Sequence, residues 1–406
     1  MCRRLAPFWP LAAVVCLPMM SAADDKKPSP YPPTKVEPVE EKLHGVNVVD
    51  PYRWLEDGAS PAVREWTDKE NAFTRSVLDR LPDRDKVHAR LNTLLDIGSL
   101  GTPQPAKGKY FYTKREGKQN QPVLYVREGL HGKDRVLLDP NVLDKEGTTA
   151  LDWWFASEDG SLVAYGISTN GSEQSTLRVR EVATGKDRAD VIAQTRACSL
   201  TWTPDAKGFY YTRYPAEGAV PKGEEKYHRL VYFHALGADP AKDPLIFGEG
   251  RAKEDWPNVD LSPDGRWLVV TQEQGWAKTE VYFADLHAKD MDKIPRFQPL
   301  VEKVDALFGV EPRNDRFYVH TNENAPRYRL YEVDPLCPAR DKWKEVIPQG
   351  PDVLEAASSV GDVIVGQYMA KASSRLRLFD RGGKPLQDVP LPTLGSVSGL
   401  GAEWDG

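Results

Sequence analysis

A hydrolytic site needs a nucleophile held beside a base. The residues that could supply one in this 406-residue chain do not fall into that pattern. The elbow that exposes a catalytic serine between strand and helix has the spacing Gly-x-Ser-x-Gly, which does not occur. The nearest stretch, Gly395-Ser396-Val397-Ser398-Gly399, has Val397 at its centre. The HExxH zinc helix, the Walker loop, the dinucleotide fingerprint and paired CxxC motifs are also missing. The seven histidines, at 44, 88, 131, 228, 234, 287 and 320, are dispersed. None is spaced as a metal site or a triad, and a dispersed histidine is more often a core or surface residue than a catalyst. This reading assigns no catalytic residue, no metal ligand and no cofactor.

The elements that would position any site come next. Arg3 and Arg4 precede an apolar run from Leu11 to Met20, and Ser21-Ala22-Ala23 has small residues where a leader is cut. Residues 1–23 read as a signal peptide, and the expected location is exported, periplasmic or extracellular. No other long apolar run exists, so no membrane span is expected after cleavage. There are 54 Lys+Arg against 60 Asp+Glu, a net −6. Removing two arginines takes this to about −8, which excludes a globally basic nucleic-acid binder. Cys198 and Cys337 remain after cleavage. Two cysteines are not a disulfide framework, and buried thiols are the simpler reading.

Residues 24–40 are Pro-rich and charged, an extended arm. Ser60 and Pro61 stand where an N-cap and first helical residue should. Val63, Trp66, Phe73 and Val77 then recur at helical spacing, Pro82 interrupts, and Val87, Leu91, Leu94 and Leu95 mark a second helix. From about 105 the pattern changes to short aromatic and β-branched runs, such as Lys109–Thr113, Leu162–Tyr165 and Trp267–Val270, bounded by turn residues. The turns repeat: Lys107-Gly108, Ser157-Glu158-Asp159-Gly160, Thr203 to Gly208, Ser262-Pro263-Asp264-Gly265, Glu311 to Asp315, and Ser359 to Asp362. Taking each turn's glycine, or the closing Asp315 where there is none, the intervals are 52, 48, 57, 50 and 46 residues. A period near fifty with four strands per unit is that of a β-propeller. Six units fit between 105 and about 395, and a seventh would begin at Gly395–Gly399.

Ordered matches along the chain then become specific. Residues 31–406 resemble the N-terminal portion of the prolyl oligopeptidase family of serine peptidases. The resemblance rests first on His44-Gly45 and the octet Asp50-Pro51-Tyr52-Arg53-Trp54-Leu55-Glu56-Asp57. It continues through Leu138-Asp139-Pro140-Asn141, Ser157-Glu158-Asp159-Gly160, Trp202-Thr203-Pro204-Asp205, Ala325 to Leu330 and Gly395-Ser396-Val397. It implies a mostly β chain: an incomplete seven-bladed propeller over 99–406, about six blades plus the start of a seventh. A helical segment over 41–98 precedes it and would dock on an α/β-hydrolase domain absent from this sequence. Trp54, Leu55, Trp66 and Phe73 would bury against that domain.

The resemblance also implies function. The complete enzyme would cleave short peptides after proline by a Ser–His–Asp mechanism, with the propeller as substrate gate. The triad lies beyond the propeller, so this chain alone is expected to be inactive. Short proline-containing peptides and the hydrolase domain are the implied partners, with no nucleic acid. A basic substrate-binding residue of the family falls in Gln272-Glu273-Gln274-Gly275-Trp276, where Gln274 replaces it, and Trp276 could line an apolar subsite. Phe155 is the nearest aromatic in a second cavity-facing stretch, Trp153-Trp154-Phe155-Ala156, although the family's aromatic aligns on Ala156 and a place in the blade core is the stronger alternative for Phe155. In the octet, Asp50, Arg53, Glu56 and Asp57 read as structural, since arginine forks pair with carboxylates to fix a chain crossing. The rival from another class is a stand-alone propeller that binds peptides or proteins without chemistry.

Overall fold

The structure, a computed structural model, describes residues 31–288 and 294–399. The expected signal peptide and the first residues of the Pro-rich arm lie outside the described residues. The chain divides into two compact units, one ending at Leu94 and the other beginning at Leu95.

The first unit has an extended segment from 31, a hairpin of Val39–Leu43 with Val46–Asp50, a single turn at Arg53–Glu56, helix α1 (Pro61–Leu78) and helix α2 (Arg84–Leu95), whose last residue opens the second unit. Pro82 separates the helices as its missing N–H and fixed φ require. Ser60 occupies the N-cap, but its side chain makes no capping hydrogen bond. Arg53 donates to Asp50 at 2.8 Å and to Glu41 at 2.7 Å, so the octet ties its own turn to the preceding hairpin. The Arg53 hydrogen bond, and then the Tyr52 backbone N–H, hold the Asp50 carboxyl below its ordinary range. Trp54 and Trp66 stand edge to face at 6.5 Å. Their indole N–H groups donate to Lys35 O and Thr34 Oγ1, and Phe73 packs on Tyr31 at 5.4 Å. The described part of the arm therefore half-covers the aromatics that were expected to await a missing domain. Helix α2 differs: Val87, Leu91, Leu94 and Leu95 are all exposed.

The second unit is six antiparallel sheets in chain order, each carrying its strands in the sequence first, second, third, fourth. The second sheet shows the plan: Ala150–Ala156, Leu162–Ser168, Thr176–Glu181 and Asp187–Ile192. In the first sheet the innermost strand is interrupted, and Ser99–Leu100 and Gln104–Ala106 both pair Lys109–Arg115. The turns of the fifty-residue rhythm close the hairpin between first and second strands. Three share one hydrogen-bond set: Ser157, Thr203 and Ser262 hydroxyls donate to Asp159, Asp205 and Asp264, and each hydroxyl accepts from the backbone N–H that opens the next strand. The chemistry of the turn, rather than its exact residues, is what repeats.

Successive sheets pack through five hydrophobic clusters, one for each junction from first–second to fifth–sixth. Between the fourth and fifth sheets, for example, Phe283, Phe317 and Trp267 are buried, with Phe283 5.3 Å from Phe317 and 6.0 Å from Trp267. Among the described residues no such cluster joins the sixth sheet to the first. The first sheet's outer face holds Tyr112 stacked on Tyr125 at 5.9 Å, with Arg127 over the Tyr112 ring. The sixth sheet (Val353–Val360, Val363–Ala370, Ser373–Asp380, Pro385–Val389) turns Ile364 and Phe379 toward the fifth. By strand alternation, Val363, Val365 and Leu378 lie on its other face, half-buried.

The expected start of a seventh blade is corrected here: the described residues form six sheets. Residues 395–399 form no strand and lie back on the sixth sheet. Ser374 N donates to Gly395 O, Val397 N to Ser374 Oγ, and Gln367 Nε2 to Val397 O. The chain then reaches Gly399, at φ +70°, where a side chain would meet Thr102 of the first sheet. No α/β-hydrolase domain is present among the described residues.

Candidate functional site

The hairpin that joins Trp267–Gln274 to Lys278–Asp285 in the fourth sheet carries two of the sequence-predicted residues. Gly275 takes φ +69°, the left-handed turn position that a β-carbon would strain. This projects Trp276, which is 99% exposed. Gln274 ends its strand half-buried. Beside it, Glu273 accepts from Asn258 Nδ2 at 2.9 Å, and Gln272 is 1% exposed. Phe155 lies elsewhere, on the innermost strand of the second sheet. It packs against the second–third sheet cluster, 5.8 Å from Trp153, and its carbonyl accepts from the Trp202 indole. The fold thus puts Gln274 and Trp276 on one turn and leaves Phe155 as a wall between sheets.

Gln272 also lines a cavity of about 200 Å³, together with Arg229, Arg251 and Asp255. Arg229, 3% exposed, lies over the Trp256 ring at 4.4 Å. It donates to Thr212 Oγ1 at 2.8 Å and to Ala197 O at 2.7 Å. Burial pushes its guanidinium below the ordinary arginine value. Asp255 is raised, first by burial, with Arg251 pulling the other way. Sequence reading missed Arg229 and Asp255, and no local signal marks them, because Arg229 meets partners 17 and 32 positions away.

The innermost strands carry a second group. Asp260 (fourth sheet) and Glu311 (fifth sheet) occupy neighbouring first strands. The Asp260 carboxyl is pushed up to about 7, chiefly by lost hydration among the crowded strands and then by Glu311, although the residue still exposes surface. Glu311 is also raised, by burial, while Arg313 and the Ser359 N–H oppose the rise. These groups offer hydrogen-bond donors, acceptors and an exposed indole. No group of three or more His, Cys, Asp or Glu that could hold a metal occurs among the described residues.

Cys198 and Cys337 are both free thiols. Cys198 is buried and its thiol is pushed up to about 11 by burial; Cys337 is exposed, so the expectation of two buried thiols holds for one. Among the described residues no helix is long and apolar enough to cross a membrane.

Residues 31–406 match the family model described as prolyl oligopeptidase, N-terminal beta-propeller domain. The chain belongs to that family. Among prolyl oligopeptidase relatives, it is 32% identical over 377 residues to a prolyl endopeptidase of Elizabethkingia meningoseptica, covering 92% of this chain and 52% of that protein. It is 29% identical over 413 residues to the prolyl oligopeptidase ophP of Omphalotus olearius, covering 93% and 55%. A solved structure from a study of two prolyl endopeptidases superposes with a TM-score of 0.86 at 37% identity, covering 92% of this chain and 55% of that one. Prolyl oligopeptidase B from Galerina marginata, solved with a 35mer hydrolysis and macrocyclization substrate, gives 0.81 at 22% identity, covering 93% and 56%, a likeness of fold. The chain spans about half the length of the prolyl oligopeptidases it matches.

Proposed function

We propose that this chain is the substrate-gating propeller of an exported prolyl oligopeptidase, a serine endopeptidase that cleaves short peptides after proline, and that it carries no peptidase activity by itself. One observation carries the reading: a family propeller whose described residues bring no serine, histidine and carboxylate together as a nucleophile with its base. In the complete enzyme the acyl transfer would be done by a hydrolase domain. Helix α2 supports such a partner, because Val87, Leu91, Leu94 and Leu95 form an exposed apolar stripe of the kind that docks. A seventh blade would sit against Val363, Val365 and Leu378 of the sixth sheet. Gln274 and Trp276 would meet the peptide at the fourth-sheet hairpin, with Phe155 bracing the second sheet rather than contacting the peptide.

The test is hydrolysis of a proline-containing chromogenic peptide by the purified chain. No turnover is expected, and binding of a short proline peptide should depend on Trp276. Turnover that survives removal of contaminating hydrolases would refute the reading. Tight binding of folded proteins instead would favour a stand-alone binding module.

A further inference from the structure

His234 is completely buried, and both of its ring nitrogens face carboxylates. Nδ1 lies 2.9 Å from Asp243 Oδ1 and 3.0 Å from Oδ2. Nε2 lies 3.1 Å from Oδ1 of Asp190. His234 is on the third strand of the third sheet, Leu230–Ala235, and Asp190 is on the outermost strand of the second sheet, Asp187–Ile192. The ring therefore bridges a sheet junction. An ionised carboxylate only accepts, whereas a neutral imidazole has one donor and one acceptor. Two ionised carboxylates on two nitrogens are satisfied together only by a ring protonated at both.

We infer that His234 is held as an imidazolium that links the second sheet to the third, which makes this junction a pH-sensitive joint.

Both carboxylates accept further hydrogen bonds from their surroundings. Asp243 accepts the Tyr211 hydroxyl at 2.8 Å from the second strand of the third sheet. Asp190 accepts the Gly237 N–H and has Arg188, on its own strand, 3.5 Å from Oδ2. Arg213 stands over the Tyr211 ring at 5.9 Å. The charges facing the joint thus comprise two carboxylates, the imidazolium, Arg188 and, across the Tyr211 ring, Arg213, with Tyr211 as a neutral donor. Burial opposes the charged ring, and the hydrogen bonds to Asp243 and Asp190 outweigh it, so the net shift is upward. The sign follows. A histidine raised above its unfolded value of about 6.5 contributes stability that is fully present below that value. The contribution is lost as the pH rises through the folded value. Deprotonation would leave one carboxylate facing a lone pair inside the core.

The experiment is nitrogen NMR of the full chain labelled at histidine, with His234 assigned by His234→Gln. The expected result is two protonated ring nitrogens at pH 7 and a titration above the free-histidine range. A neutral tautomer at pH 7, or a midpoint at or below that range, overturns the proposal. If His234→Gln does not fold, Asp190→Asn supplies the assignment by moving one histidine's ring signals, and the same two outcomes decide. Hydrogen exchange gives a readout that simple packing would not move. Between pH 7 and 9, opening of 187–192 and 230–235, corrected for the intrinsic rate, should rise several-fold relative to the first–second junction, read at 123–128 and 135–138. An equal change at both junctions overturns the proposal.

Discussion

Replacing Phe283 by alanine should damage the molecule far more than replacing Leu378, because only one of them has a sheet on each side. Phe283 is fully buried and meets Phe317 across the fourth–fifth junction at 5.3 Å and Trp267 of its own sheet at 6.0 Å. A buried Phe→Ala change costs about 3–5 kcal/mol in lost transfer and cavity energy. Each aromatic contact adds about 0.5–1.5 kcal/mol beyond area, so the upper part of that range is expected. A fully packed leucine would cost about 2–5 kcal/mol. Leu378 is half-buried, on the face of the sixth sheet that meets no cluster. Its side chain has little packing to lose, and about 1 kcal/mol is expected. Urea unfolding read by hydrogen exchange, one sheet at a time, separates the two effects without assuming a single transition. If Leu378→Ala destabilises the sixth sheet as strongly as Phe283→Ala destabilises the fourth and fifth, then something packs on that face. The open junction would then be wrong.

Trp276→Ala should leave thermal stability within about 0.5 kcal/mol, since an almost fully exposed side chain has no packing to lose; a larger loss by calorimetry would mean the hairpin tip is covered. Asp260→Asn should stabilise the protein at alkaline pH. A carboxyl raised to about 7 in the folded state binds a proton that the unfolded chain releases near 4, so stability falls as pH rises across that window. Melting the variant at pH 4.5 and 8 checks this, and an unchanged pH slope would refute it. Asp388, held at about 2 by Arg377 and then Arg375, contributes stability above about 4 that is lost as the pH falls toward 2. Because the pair is exposed, Asp388→Asn should cost under about 1 kcal/mol at pH 7 and flatten the acid limb of the melting curve. A thiol reagent should modify Cys337 well before Cys198, read by peptide mass spectrometry, and equal rates would contradict the burial of Cys198.

The fold was legible where it is written locally. Turn residues from Lys107 to Asp362 mark the hairpin between first and second strands of each sheet, so the rhythm and the six sheets could be counted. Pro82 and the apolar spacing placed two helices. The octet's role as a tie was readable, since Asp50 and Arg53 are three residues apart and meet within one turn. What escaped depends on distance along the chain. His234 looked like one more scattered histidine because its Nε2 partner is 44 positions away. Trp276 and Phe155 were comparable as aromatics in suggestive stretches, yet one projects from a turn and the other braces two sheets. Strand alternation alone does not tell which face of the sixth sheet has a neighbour. The break in the first sheet's inner strand is likewise a matter of pairing, as Gly101 N returns to Thr113 O.

The five junctions between successive sheets bear on how the described residues assemble. A contact between residues some three hundred positions apart must first meet the entropy of closing that loop. Here every hydrophobic junction links sheets about fifty residues apart, so each can form as soon as its own two hairpins exist. Such a molecule can be laid down from its N-terminal side as it is synthesised, and its early sheets need not wait for the last one to arrive.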